Sequence, residues 1–288
     1  MKIREALRAP EIIFLCYFTY TAVLAAIEGR WRPLAGALVT LLCVAALFFL
    51  FVHLAQRRTH GINVWRDWIP LGLVIVAYHE MDWFADPHKS HALEQGWEAI
   101  DRTILNHYGV GAAIGAAGGV LPMYLELCYL LVYATGFVML GIVYAAKRRA
   151  RTQRVLSLYL IGTLLAYALF PYFPSDPPRV LFHELMPPFS SGVRRLNLAL
   201  VNGAGIHSSV FPSAHVSSAF SAALALLLFM PEKRWAGIAM LIYAVSVAVA
   251  TVYGRYHYAV DAMAGIGVSL IAAAAVEIFL ARTRAGTV

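Results

Sequence analysis

Two runs decide how this chain is read: Phe211-Pro212-Ser213-Ala214-His215 and Thr251-Val252-Tyr253-Gly254-Arg255-Tyr256-His257-Tyr258-Ala259-Val260-Asp261. Each stands at the edge of a long apolar segment. On a helix His257 and Asp261 share one face, so the carboxylate can hold one imidazole nitrogen and leave the other free to react. A carboxylate one turn inside an apolar span costs roughly 2.5 to 3.5 kcal/mol on insertion scales, which makes a functional partner the expectation. The plainer alternative is a pair that satisfies itself inside a bundle, and the second His-bearing run tips the reading toward a site.

Working outward, hydrophobic residues make up 60% of the 288 and charged residues only 14%, with a mean hydropathy of +0.68. That balance lies outside the range of soluble domains and reads as an all-α, polytopic membrane helix bundle. The net charge of +7 reports basic residues retained in cytoplasmic loops, and nucleic acid binding is not indicated. Cys16, Cys43 and Cys128 lie in apolar runs without Cys-x-x-Cys spacing, so neither a disulfide framework nor a thiolate metal site is expected. The first apolar run is near spanning length and further spans follow, so it is expected to be an uncleaved helix.

Apolar windows place eight spans near 11–28, 34–55, 69–84, 120–146, 155–173, 213–230, 235–253 and 257–281. They form a single integral membrane domain over 1–288, with N-terminal helices at about 11–84 and a core at about 120–281. With eight crossings, Lys2, Arg4, Arg8, Arg57, Arg58, Arg66, the cluster from Lys147 to Arg154, Lys233, Arg234, Arg282 and Arg284 all fall on one side. These are fifteen of the twenty-three basic residues, and the positive-inside rule makes that side cytoplasmic, together with both termini. Arg179, His215 and His257 then fall together on the outer side of an integral plasma (inner) membrane protein. Of the long loops, 85–119 is expected to carry a short interfacial helix from Glu94 to Arg102 anchored by Trp97, and 174–212 leaves the membrane at a run of prolines.

Pro-Ser-x-His, followed by a His with an Asp four residues later, resembles the paired signature of the type 2 phosphatidic acid phosphatase (PAP2) superfamily of membrane lipid phosphatases and phosphotransferases. Thr-Val-Tyr-x-Arg-Tyr-His-Tyr and Pro177-Pro178-Arg179 are most similar to its inositol phosphorylceramide synthase-like branch. The likeness covers roughly residues 170 to 270. It implies a PAP2-like core, a lipid-linked phosphate or phosphodiester substrate, a polyol or lipid acceptor when the reaction is a transfer, and a phosphohistidine intermediate.

Metal-free cleavage of a phosphoester requires a nucleophile, a proton source for the leaving oxygen and fixed positive charge. His257 oriented by Asp261 is the candidate nucleophile, and His215 the candidate acid. Ser213 begins a helix whose free N–H groups favour an anion, and Arg179 and Arg255 are the candidate phosphate ligands. No cofactor is expected. The sequence also departs from the superfamily pattern. Hydrolytic members place an Arg where Thr251 stands and often a Ser at Ala250. The Lys and Pro of the usual first motif are Tyr172 and Val180 here. Arg255 is the expected replacement for the missing Arg, and its absence at position 251 tilts the reading toward transfer.

Glu126 either contacts a lipid head group, with Tyr124 nearby, or pairs with a basic neighbour. His79, Glu80 and Asp82 read as an interfacial polar end in preference to a metal cluster, and Asp101 with Arg102 as a solvated pair. A different class of function is a transporter or lipid-binding protein using the same polar residues as a ligand or proton site. Against it, transport sites lie near the midplane between repeats, and no repeat is visible.

Overall fold

Every apolar stretch is helical in the computed structural model, which describes residues 6–86, 89–183, 186–187 and 189–285, with side chains to residue 282. Lys2, Arg4 and the Arg284 side chain lie outside the described residues. Helices α1 (Ala9–Ile27), α2 (Trp31–Gln56) and α3 (Ile62–Glu80) come first. Two short helices follow, α4 (Ala92–Arg102) and α5 (Val110–Ala116). Then α6 (Val120–Leu131) and α7 (Thr135–Ala145) run on through a tight turn at Val132–Ala134. Next are α8 (Thr152–Leu169) and α9 (Gly192–Ala204). The last three are α10 (Ala214–Phe229), α11 (Arg234–Tyr253) and α12 (Ala259–Ala285). No strand occurs among the described residues.

Six of these segments are long and apolar enough to cross a membrane: α1, α2, α6 with α7, α8, α11 and α12. Eight crossings were expected. The two that fall short do so for different reasons. Helix α10 is apolar but has only 16 residues, while α3 carries Arg66, Asp67, His79 and Glu80.

Helix α3 also starts well before the expected residue 69, because Arg66 and Asp67 are satisfied by neighbours. Arg66 donates two hydrogen bonds of 2.6 Å to the Glu11 carboxylate on α1. Asp67 accepts from Arg8 and Arg149, each at 2.7 Å, and from the Tyr144 hydroxyl. Arg148 and Arg151 reach Glu232 at 2.9 and 2.7 Å. The basic loops thus gather at one end of the bundle, tied by three carboxylates.

Helix α10 is the centre of the bundle and packs against α8, α11 and α12. Its buried residues are mostly small, including Ser217, Ala219, Ser221, Ala222 and Ala225, so backbones approach closely and packing, in place of hydrophobic exclusion, holds the helices together. At the α8 crossing a Cβ on Gly162 would lie 1.9 Å from Ser221 Oγ, and Ser217 Oγ donates to the Gly162 carbonyl at 2.9 Å. A second layer of Phe14, Phe18, Phe48, Leu140, Leu156 and Leu226 continues the core through α1, α2 and α7.

Candidate active site

The site is assembled where the start of α10 meets the α11–α12 turn. Ser213 caps α10: its hydroxyl accepts from Val216 N at 3.4 Å, and its own N–H donates to the Asp261 carbonyl at 2.9 Å. A Cβ on Gly265 would stand 2.5 Å from the Ser213 carbonyl oxygen. Only a glycine there lets α12 approach α10 this closely, and that approach sets His215 beside His257. At the end of α11 the Thr251 carbonyl accepts from both Tyr256 N (2.9 Å) and His257 N (3.0 Å). Between them Arg255 has a left-handed backbone, φ +63°, a conformation uncommon outside glycine.

His257 is buried and held on one edge. Its Nδ1 lies 3.0 Å from the Val210 carbonyl and 3.3 Å from Asp261 Oδ2. Both neighbours are acceptors, so Nδ1 carries the proton and Nε2 keeps its lone pair. That lone pair faces His215 Nδ1 at 3.4 Å. Burial, then the charge of Arg179, push the His257 imidazole down to about 3, against the opposing Val210 carbonyl. It is therefore neutral at physiological pH. Asp261 Oδ2 also accepts from Tyr258 N at 2.9 Å. His215 stacks on Tyr129 (centroids 5.2 Å apart) and meets Tyr133 edge-on at 5.4 Å.

His215, His257 and Arg179 line one end of a cavity of about 340 Å³. The remainder is bounded by aromatic and aliphatic side chains, among them Leu71, Val74, Phe137 and Tyr167. Tyr159 and Tyr167 of α8 both line it, a separation of roughly 12 Å at 1.5 Å per residue, so it runs well into the bundle. Arg179 sits on a single helical turn, Pro178–Leu181, and its N–H donates to the Arg255 carbonyl at 3.0 Å. Among the described residues its Nε has no hydrogen-bond partner and its guanidinium no carboxylate. Among the described residues it is the only Lys or Arg lining the cavity.

A family model described as the PAP2 superfamily matches residues 100–275, well over half of the chain. The chain belongs to the PAP2 superfamily. No curated protein and no solved structure matches it. Membership gives a helical membrane protein a lipid phosphatase-type function. The match leaves α1 to α3 outside and takes in α5 to α11 and most of α12.

Within this PAP2 frame the expected residues separate into two groups. His215, His257, Asp261 and Arg179 converge. Arg255 and Ser213 do not line the cavity. Arg255 is 2% exposed, and its guanidinium is bound by Glu98 and, at 2.8 Å, by Asp101, so it is not placed to replace the missing Arg at Thr251. The Ser213 hydroxyl is occupied as a helix cap. Glu126 is buried away from the cavity, where Arg194, Asn197 Nδ2 (2.7 Å) and the Tyr256 hydroxyl (2.8 Å) surround its carboxylate. It is thus the partner of a basic neighbour. Tyr124 bonds Ser246 at 2.8 Å on the outer surface.

Other expectations change as well. The helix around Glu94 to Arg102 forms, but Glu94, Glu98 and Asp101 are buried, and Trp97 stacks on Phe211 (5.2 Å) and meets Tyr258 at a tilt (5.6 Å). Asp101 is therefore no solvated group: burial pushes its carboxyl up to about 7, with the Ala259 N–H and Arg255 opposing. His79 lines the cavity wall, Glu80 is buried with no hydrogen-bond partner among the described residues, and Asp82 accepts from His207 N at 2.6 Å. The Val210 carbonyl and the two tyrosines around His215 were not anticipated. A backbone acceptor leaves no residue-type signal, and tyrosines in an apolar helix look like core.

Proposed function

We propose that this PAP2 superfamily member cleaves a lipid-linked phosphate or phosphodiester through His257 and passes the phosphoryl or head-group phosphate to a hydroxyl acceptor, with water as competitor. The supporting observation is the cavity: two adjacent histidines and, among the described residues, one guanidinium without a carboxylate, with apolar walls that run roughly 12 Å into the bundle. A single guanidinium suits the one negative charge of a phosphodiester, which favours transfer, as does the absence of an Arg at Thr251. In the first step His257 Nε2 bonds to phosphorus while the bond to the leaving oxygen breaks, and His215 gives that oxygen its proton. In the second, the acceptor O–H attacks phosphorus, His215 takes the proton, and the P–N bond returns its electrons to His257. Arg179 and the N-terminus of α10 face the charge that builds on the phosphoryl oxygens.

On this reading the membrane is crossed eight times, with α3 and α10 as the additional spans, both termini in the cytoplasm and the site outside. The basic residues tied to Glu11, Asp67 and Glu232 support that orientation. The test is incubation of the purified full-length protein with labelled lipid phosphates and phosphodiesters, with and without polyol acceptors. An acceptor-dependent labelled product is expected. Absence of turnover on every lipid, together with passage of a lipid or ion across proteoliposomes, would replace the enzyme with a transporter.

A further inference from the structure

Helix α4 presents an acidic face to the turn that carries His257, and the contacts there form one connected set. Asp101 Oδ2 accepts from Arg255 Nη1 at 2.8 Å while its Oδ1 accepts from Ala259 N at 2.8 Å, the first residue of α12. Glu98 binds the other terminal nitrogen of Arg255. Glu94 accepts from Asp176 N at 3.0 Å, on the segment leading to Arg179. Trp97 packs against Phe211 and Tyr258, one residue from each histidine run. Arg255 in turn offers its carbonyl to Arg179 N at 3.0 Å. The side chain of Arg255 points away from the cavity, and its backbone lies in the left-handed region, φ +63°, where a non-glycine residue persists only if its surroundings hold it.

Resting on the phosphotransfer reading, we propose that Arg255 is a positioning residue and α4 its clamp. Glu98 and Asp101 grip the guanidinium, the grip holds the strained turn, and the turn fixes both the His257 ring and, through one carbonyl, the backbone of Arg179. Charge on Arg255 therefore acts on the loop and not on the phosphate. The two buried carboxylates take both terminal nitrogens of Arg255, leaving its Nε without a partner among the described residues, and Arg179 is then the cation that meets substrate.

The test compares Arg255→Met, Arg255→Lys, Glu98→Gln and Asp101→Asn in the full-length protein, using turnover of the lipid substrate, affinity for orthovanadate as a phosphate mimic, and hydrogen exchange of the amides at 254–261. A clamp predicts that Arg255→Met lowers kcat by about 100-fold, the scale of a 1 Å misplacement of reacting groups, and that any accompanying loss of orthovanadate affinity is shared by Glu98→Gln and Asp101→Asn. Asp101→Asn and Glu98→Gln should fall in the same direction, and combining either with Arg255→Met should add little. Exchange at 254–261 should accelerate in every variant. Should Arg255→Met fail to fold, Arg255→Lys and Asp101→Asn carry the same comparison. Loss of orthovanadate affinity on Arg255 substitution, with the carboxylate variants unaffected, would make Arg255 a phosphate ligand and overturn the clamp. Faster exchange with unchanged kcat would also overturn it. If the wild-type protein turned over no lipid phosphate the phosphotransfer reading would fall, while exchange at 254–261 would still decide whether α4 holds the turn.

Discussion

Arg179 and Arg255 are joined by a single backbone hydrogen bond, yet their side chains live in opposite settings. Arg179 is half-buried, lines the cavity with both histidines and faces no carboxylate among the described residues. Arg255 is enclosed and shared by Glu98 and Asp101. The difference shows that a cation near a catalytic residue in sequence is not thereby a cation near the substrate. Partners supplied from elsewhere in the chain decide which arginine remains available.

The largest effect that would sharpen this contrast is on turnover. Arg179→Ala should lower kcat/KM by about 10² to 10³, the scale for removing one preorganised donor from developing charge, and Arg179→Lys should recover only part because it lacks the planar fork. Steady-state kinetics on the lipid substrate checks this, and near-normal turnover in Arg179→Ala would remove from the account the cation that lines the cavity.

The pH profile separates the two arginines further. The His257 imidazole sits at about 3, below its ordinary 6.5, with Arg179 among the causes and Arg255 not. The stability from keeping it neutral is present above 6.5 and is lost as pH falls through that window, by up to about 1.4 kcal/mol per pH unit. The acid limb of kcat/KM should therefore lie well below 6.5. Arg179→Ala should move it upward and Arg255→Lys should leave it in place. An acid limb at 6.5 in the wild-type protein would mean that His257 is hydrated and not held as described.

Glu126 and Arg194 extend the comparison to stability. Glu126→Ala leaves Arg194 buried without its carboxylate, an expected loss of about 3 to 5 kcal/mol in denaturant or thermal unfolding, with Glu126→Gln milder because an amide can still bond. A stable Glu126→Ala protein with a raised KM would instead make Glu126 a head-group contact. Tyr124→Phe should have the smallest effect of the series, a loss of about 1 kcal/mol or less from one exposed hydrogen bond and no change in kinetics.

Much of this architecture was legible before any coordinates. Apart from α3, the apolar windows found each long helix to within a few residues, because twenty apolar residues in succession have few other uses. The start of α3 was missed since Arg66 and Asp67 look like loop residues until Glu11, Arg8 and Arg149 are seen to neutralise them. Helix α9 was missed because it is short and amphipathic, with a polar face that serves Glu126. At the site, the spacing of His257 and Asp261 carried a local signal, and the two do meet, although His257 lies in the turn before α12 and not on the helix. Arg255 carried none: its partners lie 157 and 154 residues earlier in the chain, and a left-handed turn reverses the direction that a helical count would assign.

The central claim is that His257 Nε2 is the atom that bonds to phosphorus while His215 moves the proton. It is tested most directly by rapid quench with a phosphate-labelled lipid substrate bearing a good leaving group, followed by mapping of the acid-labile label in wild-type, His257→Ala, His215→Ala and Asp261→Asn proteins. The account predicts label on His257 in the wild-type protein, none in His257→Ala, retained but slowly released label in His215→Ala, and a rate lower by about 10⁴ in Asp261→Asn, by analogy with other His-orienting carboxylates. Label on His215, or equal trapping by His257→Ala, would contradict it.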